Sequence, residues 1–288
     1  MDASTQKQMV ERIASLLEQE YVFADVGARA AASLRQQVAD GAFEAPTGTA
    51  AFAARLTSTL GALTNDKHVR MRYRPEAVAA SVSEAPPEQD NFGIRKVDWL
   101  AGNIGYIRVD RFYQRDESRA AFAAAFTLLQ HSRAVIIDLR DNTGGSDANV
   151  LLASYFLRDP VLLTRLRWRN QEPMEFSTER TQPSLPDVPV YVLTSGRTFS
   201  AAEGFAYGLQ QQKRITIVGE RTAGAANPNR FFPLAPGLAV SIAIGQTVNP
   251  VSGGSWEHAG VAPDVEVPEA EALGTALRLI ASRIGSSH

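Results

Sequence analysis

Residues 134–145 read Ala-Val-Ile-Ile-Asp-Leu-Arg-Asp-Asn-Thr-Gly-Gly. The run Ala134 to Leu139 is apolar without alternation, the pattern of a strand covered on both faces, and it predicts a sheet sandwiched between helices. Gly144 and Gly145 stand where that strand should end and a helix begin. Glycines at such a turn let backbone N–H groups approach an anion closely, and the following helix adds positive potential. An ordinary turn that uses Gly for its positive φ is the plain alternative. No GxxxxGK[ST] or GxGxxG occurs in the chain, so a developing acyl oxyanion leads the functional readings over a nucleotide phosphate.

Outward from this stretch the pattern repeats. NIGYIRVD precedes it, with a helix expected around Glu117 to Gln130. A helix from about Ser146 to Leu157, VLLTRLRW, PVYVLTS, a helix from Ser200 to Gln212, ITIVG and strands around Leu238 to Thr247 follow. The stretch EAEALGTALRLIASRI reads as a closing amphipathic helix. Residues 91–288 are therefore expected to form an α/β domain of ββα units. Before it the periodicity is helical: Met9, Ile13, Leu16 and Leu17, then Leu34 and Val38, then Phe52, Leu56, Leu60 and Leu63. Three helices are expected within residues 1–74, with Gly41 capping the second and the third starting near Thr49. Residues 75–90, poor in large apolar side chains and carrying Pro75, Pro86 and Pro87, read as a linker between the two domains.

The chain has 288 residues, 44% of them hydrophobic, enough for a sizeable core. Its formal charge of -2, from 29 basic and 31 acidic residues, gives no field that would draw it to nucleic acid or an anionic membrane. No apolar run approaches the roughly 20 residues of a membrane span. The start, MDASTQKQMVERIASLL, lacks the cationic and apolar regions of a secretory signal. With no cysteine, disulfides, thiolate metal sites and a cysteine nucleophile are excluded, and nothing calls for a metal or cofactor.

The segment Gly196 to Leu209, GRTFSAAEGFAYGL, places Ser200 at the start of a helix directly after a strand. There its hydroxyl meets the positive end of the helix dipole, and the N–H of Ala201 could donate to an oxyanion. Ser200 with Glu203 also spells SxxE, a capping box, which is the structural alternative. GxSxG is absent, since Thr198 stands two before the serine, so the α/β-hydrolase elbow gains no support. A serine needs a base. The lysines are Lys7, Lys67, Lys96 and Lys213, and the histidines are His68, His131, His258 and His288. His131 sits at a helix end and His288 at the terminus. His68, in NDKHVRMRY, and His258, in a glycine-rich loop after Glu257, stay open as bases on the residues alone.

Several segments together resemble one superfamily, that of the C-terminal processing peptidases, the tricorn core and the modules of interphotoreceptor retinoid-binding protein. They are LTNDKHVRM, AVIIDLRDNTGG, PVYVLTSGRTFSAAEGFAYGL, VGERTAGAA and EHAGVAPDVEV, in that order from Leu63 to Val267. EYVFADVGARAAASLR is similar to the helical region of the retinoid-binding modules.

The resemblance implies a ClpP/crotonase-like core behind a small helical domain, with Ser200 at the family nucleophile. Processing peptidases use a lysine as base in a segment like VGExTxGKG, and Ala225 takes that place here. The tricorn-like branch uses Ser, His and Glu. Its histidine maps onto Asp66-Lys67-His68 and its glutamate onto Glu257. The implied oxyanion hole is the N–H of Ala201 with that of Gly145 or Gly144. The interval from His68 to Asn91 is too short for the PDZ domain of processing peptidases, given the minimum of about 50 residues for a domain. The implied partner is a peptide or protein substrate, in the periplasm or outside the cell, with the cytoplasm as the alternative. Two other readings share the fold: a carrier of a hydrophobic lipid such as a retinoid or fatty acid, and an acyl-CoA enzyme. The second of these lacks a basic cluster around the GG turn beyond Arg140.

Overall fold

Asp2 accepts the N–H of Thr5 at 2.8 Å and starts helix α1 (Ala3–Glu20). In this computed structural model the described residues are 1–45, 47–75 and 86–285. Most of the expected linker at 75–90, and His288, lie outside them. Helix α2 (Ala24–Ala39) ends on Gly41 at φ 80°, where Ala42 N–H reaches back to the carbonyl of Gln37 at 2.9 Å, so Gly41 does cap it. Helix α3 (Thr49–Thr64) closes on Asn65 in the left-handed region and passes through a tight loop into strand β1 (Arg70–Tyr73).

The chain divides into two units, and neither is a single run of sequence. The first takes in Met1–Glu84, Leu166–Met174 and Asn227–Thr247. Its core is built from the inner faces of the helices, with Val10, Ile13, Leu17, Leu34, Phe52, Leu56 and Leu60 fully buried. Under them lies a three-stranded antiparallel sheet in the order β1, β10 (Leu238–Ala243), β9 (Asn229–Ala235). Met71 pairs with Val240 and Val240 with Phe232, so one apolar row crosses the sheet toward the helices.

The second unit takes in Ala85–Arg165, Glu175–Ala226 and Val248–His288. In chain order it carries β2 (Ile94–Leu100), β3 (Ile104–Val109), α4 (Arg115–Leu129), β4 (Ala134–Asp138) and α5 (Ala148–Ser154). β5 (Leu162–Trp168) crosses the division between the units, and β6 (Met174–Ser177) follows. Then come β7 (Val190–Thr194), α6 (Ala201–Gln211) and β8 (Thr216–Gly219), and, after β11 (Gly245–Val248), β12 (Val265–Glu266) and α7 (Glu269–Gly285). The main sheet runs β12-β8-β7-β4-β3-β2, parallel except for β2, an antiparallel edge strand that the sequence reading did not foresee. The helix expected from Ser146 to Leu157 is shorter, Ala148–Ser154.

Both faces of this sheet are covered, as the unbroken apolar runs predict. Val135, Ile137, Val192 and Ile217 point into a core with Phe122, Phe126 and Phe205. Ile136, Tyr191, Leu193 and Val218 point the other way, against Ala272, Ala276 and Ile280 of α7. Among the described residues no helix is long and apolar enough to cross a membrane. The loops that follow β3, β4, β7 and β8 leave the sheet from its carboxyl edge, the place where open α/β sheets receive ligands.

Candidate active site

Ser200 is not the first helical residue but the cap before it, with φ 52° and ψ -114°. A non-glycine residue in this region is strained by about 1–3 kcal/mol and persists only where its surroundings hold it. Here they do. Thr198 donates its hydroxyl to the carbonyl of Leu139 at 2.9 Å and accepts the N–H of Ser195 at 3.0 Å. Phe199 N–H donates to the carbonyl of Asn142 at 3.0 Å, and Ser200 N–H to Oε2 of Glu203 at 2.8 Å. The turn thus forms a sharp elbow that presents Ser200 at the head of α6, six residues past the end of β7 at Thr194.

Glu203 is fully buried and its carboxylate gathers four donors. Oε1 accepts from Thr222 Oγ1 and Gly224 N–H, both at 2.6 Å, and Oε2 accepts from Ala225 N–H at 3.0 Å as well as from Ser200. Burial pushes its carboxyl above the ordinary value while those four donors pull it down. The next amide along, Ala226 N–H, donates to Oε2 of Glu257 at 2.5 Å. Trp256 Nε1 donates to the carbonyl of Ala225 at 3.1 Å, and His258 N–H to that of Gly224 at 3.1 Å. Segment 222–226 is therefore strung between two carboxylates, one tied to the serine and the other the expected triad glutamate.

The GG turn lies against the elbow. A Cβ on Gly144, at φ 88°, would stand 2.8 Å from Ser200 Cβ and 3.2 Å from Ala201 N. One on Gly145, at φ 134°, would collide with the carbonyl of Phe112. Glycine is needed twice, once for the serine and once for the pairing of this turn with the chain after β3. Gly144 N–H donates to Oδ1 of Asn142 at 2.8 Å. The N–H groups of Gly145 and Ala201 have no acceptor among the described residues.

His68 belongs to the first unit. Asp66 shapes its loop: Oδ1 accepts the N–H of His68 at 2.8 Å, and Oδ2 accepts from Tyr21 Oη and Asn227 Nδ2, both at 3.3 Å. His68 is 3% exposed, and burial, with the Arg70 charge second, pulls its pKa down to about 4. It is neutral at pH 7. His258 is half-exposed at φ 63°, with Nδ1 3.6 Å from Oε1 of Glu257. His131 is exposed at the end of α4, and its carbonyl accepts from Asn103.

Comparison with known proteins decides the kinship. The model of peptidase family S41 matches residues 103–267, more than half of the chain. The chain belongs to peptidase family S41. Residues 3–95 match the N-terminal domain of Peptidase S41 in eukaryotic IRBP. The chain is 29% identical to carboxyl-terminal-processing peptidase 1, chloroplastic, of Arabidopsis thaliana over 179 residues, 60% of this chain and 35% of that protein. It thus spans about a third of that relative's length. In fold it is similar to the photosystem II D1 C-terminal processing protease, with TM-score 0.60 at 19% identity over 92% of this chain and 93% of that one. The tricorn protease matches with TM-score 0.62 at 13% identity over 99% of this chain and 37% of that one.

Within this S41 chain the second unit brings Ser200, Ala201, Gly144 and Gly145 side by side and links them through Glu203 and segment 222–226 to Glu257. The sequence reading missed three contributors: Asn142, the four-donor role of Glu203, and Asp66 as the shaper of the His68 loop. For Glu203 the signal was present in SxxE, but a capping box asks only for the Ser200 amide and says nothing of Thr222, Gly224 or Ala225. Ala225, which the sequence resemblance sets in the place of the processing peptidases' lysine, is fully buried and carries no group that could move a proton.

Proposed function

We propose that this chain is a serine peptidase in which Ser200 attacks the scissile carbonyl of a peptide or protein substrate. The observation that carries this reading is the strained Ser200 at the head of α6, with the unengaged amides of Gly145 and Ala201 beside it. Attack places negative charge on the carbonyl oxygen, and two fixed N–H donors in a partly buried site stabilise it without having to reorganise. Because Gly144 N–H is already committed to Asn142, Gly145 is the glycine donor in this reading.

His68 is assigned as base and Glu257 as its orienting acid on the sequence resemblance. The neutral imidazole takes the Ser200 proton as the C–O bond forms and returns it to the leaving amine. Glu257 selects the tautomer and stabilises the imidazolium. A depressed resting pKa keeps His68 unprotonated at neutral pH. Water then repeats the cycle on the acyl-enzyme through the same groups. The same resemblance supports a ClpP/crotonase kinship for the second unit and a periplasmic or external location.

The test is labelling of the full chain with a fluorophosphonate probe, followed by peptide mapping. Wild type is expected to carry the adduct on Ser200, and Ser200→Ala to carry none. His68→Ala and Glu257→Gln are expected to lose labelling by about a hundredfold or more while staying folded. Equal labelling of wild type and Ser200→Ala sinks the reading.

A further inference from the structure

Asn142 is 0% exposed, and all four of its polar groups are engaged. Its N–H donates to the carbonyl of Leu139 at 3.0 Å, and its own carbonyl accepts the N–H of Phe199, the residue before the proposed nucleophile. In its side chain, Oδ1 accepts the N–H of Gly144 at 2.8 Å and Nδ2 donates to the carbonyl of Val109 at 2.9 Å. One residue therefore ties together the end of β3, the GG turn and the serine elbow.

The consequence lies in how successive amides point. Phe112 N–H donates to the carbonyl of Gly144 at 2.9 Å, and Ser146 N–H donates to the carbonyl of Phe112 at 2.8 Å. This parallel bridge uses the groups on either side of Gly145 and leaves the N–H of Gly145 outside it. The one other amide in the turn that could compete for an acyl oxygen, that of Gly144, is drawn inward by Asn142. We infer that Asn142 is the positioning residue of the oxyanion hole, engaging the Gly144 amide so that, of the two glycine amides, that of Gly145 faces the reacting oxygen together with Ala201, and setting the distance between those two donors through the Phe199 bond. The inference rests on Ser200 being the nucleophile and goes beyond that assignment. Asn142 touches no reacting atom. It acts through the two amides it holds in register.

Asparagine suits the task better than its near relatives. Aspartate keeps the acceptor for Gly144 but sets a second oxygen against the Val109 carbonyl and buries a charge. Serine keeps an acceptor for the amide two residues on, as in an ST turn, but loses the anchor to β3. Alanine loses both.

The experiment measures the inactivation of the full chain by a fluorophosphonate, separating the maximal rate constant from the concentration dependence of binding, for wild type, Asn142→Ser and Asn142→Ala. Thermal melts establish the folded fraction, to which each rate is normalised. The maximal rate is expected to fall about a hundredfold for Asn142→Ala, the typical loss for one oxyanion donor, and about tenfold for Asn142→Ser, with binding changed less than about twofold. A purely structural role lowers the melting temperature and the labelled fraction but leaves the rate per folded molecule unchanged, and that result overturns the inference even if Asn142→Ala fails to fold, because Asn142→Ser decides it. Wild type that is folded and never labelled overturns the nucleophile assignment and this inference together. Wild type labelled at Ser200 with Asn142→Ser equally fast overturns this inference alone.

Discussion

The carboxylate of Glu203 receives the backbone N–H of Ser200 at 2.8 Å and, on the same oxygen, that of Ala225 at 3.0 Å. The serine elbow and the loop that leads to Glu257 thus share one buried anion. Replacing Glu203 by Ala strands four donors, at about 1–3 kcal/mol for each one that water cannot reach. Glu203→Ala is expected to destabilise the chain by about 3 kcal/mol or more. Glu203→Gln keeps the shape but turns an NH2 group toward N–H donors, so it should lose nearly as much together with most fluorophosphonate reactivity. Urea melts and labelling rates measure both. A Gln variant with wild-type stability and rate would show that the four bonds hold nothing in place.

Strain at Ser200 makes a second expectation. Glycine adopts φ 52° and ψ -114° without penalty, whereas alanine keeps the Cβ that makes the position costly. Ser200→Gly should be more stable than Ser200→Ala by about 1 kcal/mol, both being unreactive. Equal melting temperatures for the two would argue that the elbow is relaxed.

Gly144→Ala places a methyl 2.8 Å from Ser200 Cβ and 2.9 Å from the carbonyl of Phe199. Either the turn or the elbow must shift. We expect a loss of about 2 kcal/mol in stability and a fall of about a hundredfold in labelling rate, since sub-ångström misplacement of the donors is felt directly in the transition state. Unchanged labelling kinetics in folded Gly144→Ala would contradict the close packing of the turn against Ser200.

His68 titrates near 4 in the folded chain against an ordinary 6.5. As pH falls through this window the unfolded chain takes up the proton first, so the folded state loses stability between about 6.5 and 4 and regains it as pH rises. A shift of this size corresponds to about 3 kcal/mol. Chemical denaturation of wild type and His68→Gln at pH 7 and at pH 4.5 isolates the contribution, because carboxylates common to both cancel. The variant should lose markedly less stability on acidification, and identical pH profiles would rule out a buried neutral imidazole.

On the sequence resemblance, Ala225 takes the place of the lysine of the processing peptidases. It is fully enclosed, with its N–H on Glu203 and its carbonyl on Trp256. Ala225→Lys is expected to cost about 3 kcal/mol by overpacking and by burying an ammonium, and to leave His68→Ala unrescued. Recovery of labelling in the double variant would show that a lysine base fits this site after all.

Periodicity alone determined a good deal about this protein. Unbroken apolar runs such as Ala134 to Leu139 specify strands buried on both faces, and the i, i+3, i+4 spacing of Met9 to Leu63 specifies three helices, because each pattern reports which side of a local element leaves water. The serine after β7 and the paired glycines after β4 were legible for the same reason: both follow strands whose ends are marked in the sequence. What only the tertiary structure decided is which distant groups meet. Nothing local tells Met71 to pair with Val240, or completes the helical unit with a strand from far along the chain. Nor does SxxE reveal that Glu203 collects Thr222, Gly224 and Ala225, or NTGG that Asn142 takes the amide of Gly144 and leaves that of Gly145. Side-chain-to-backbone hydrogen bonds of this kind carry no periodic signature. They exist only once packing has brought the segments within 3 Å or so and removed the water that would otherwise satisfy them.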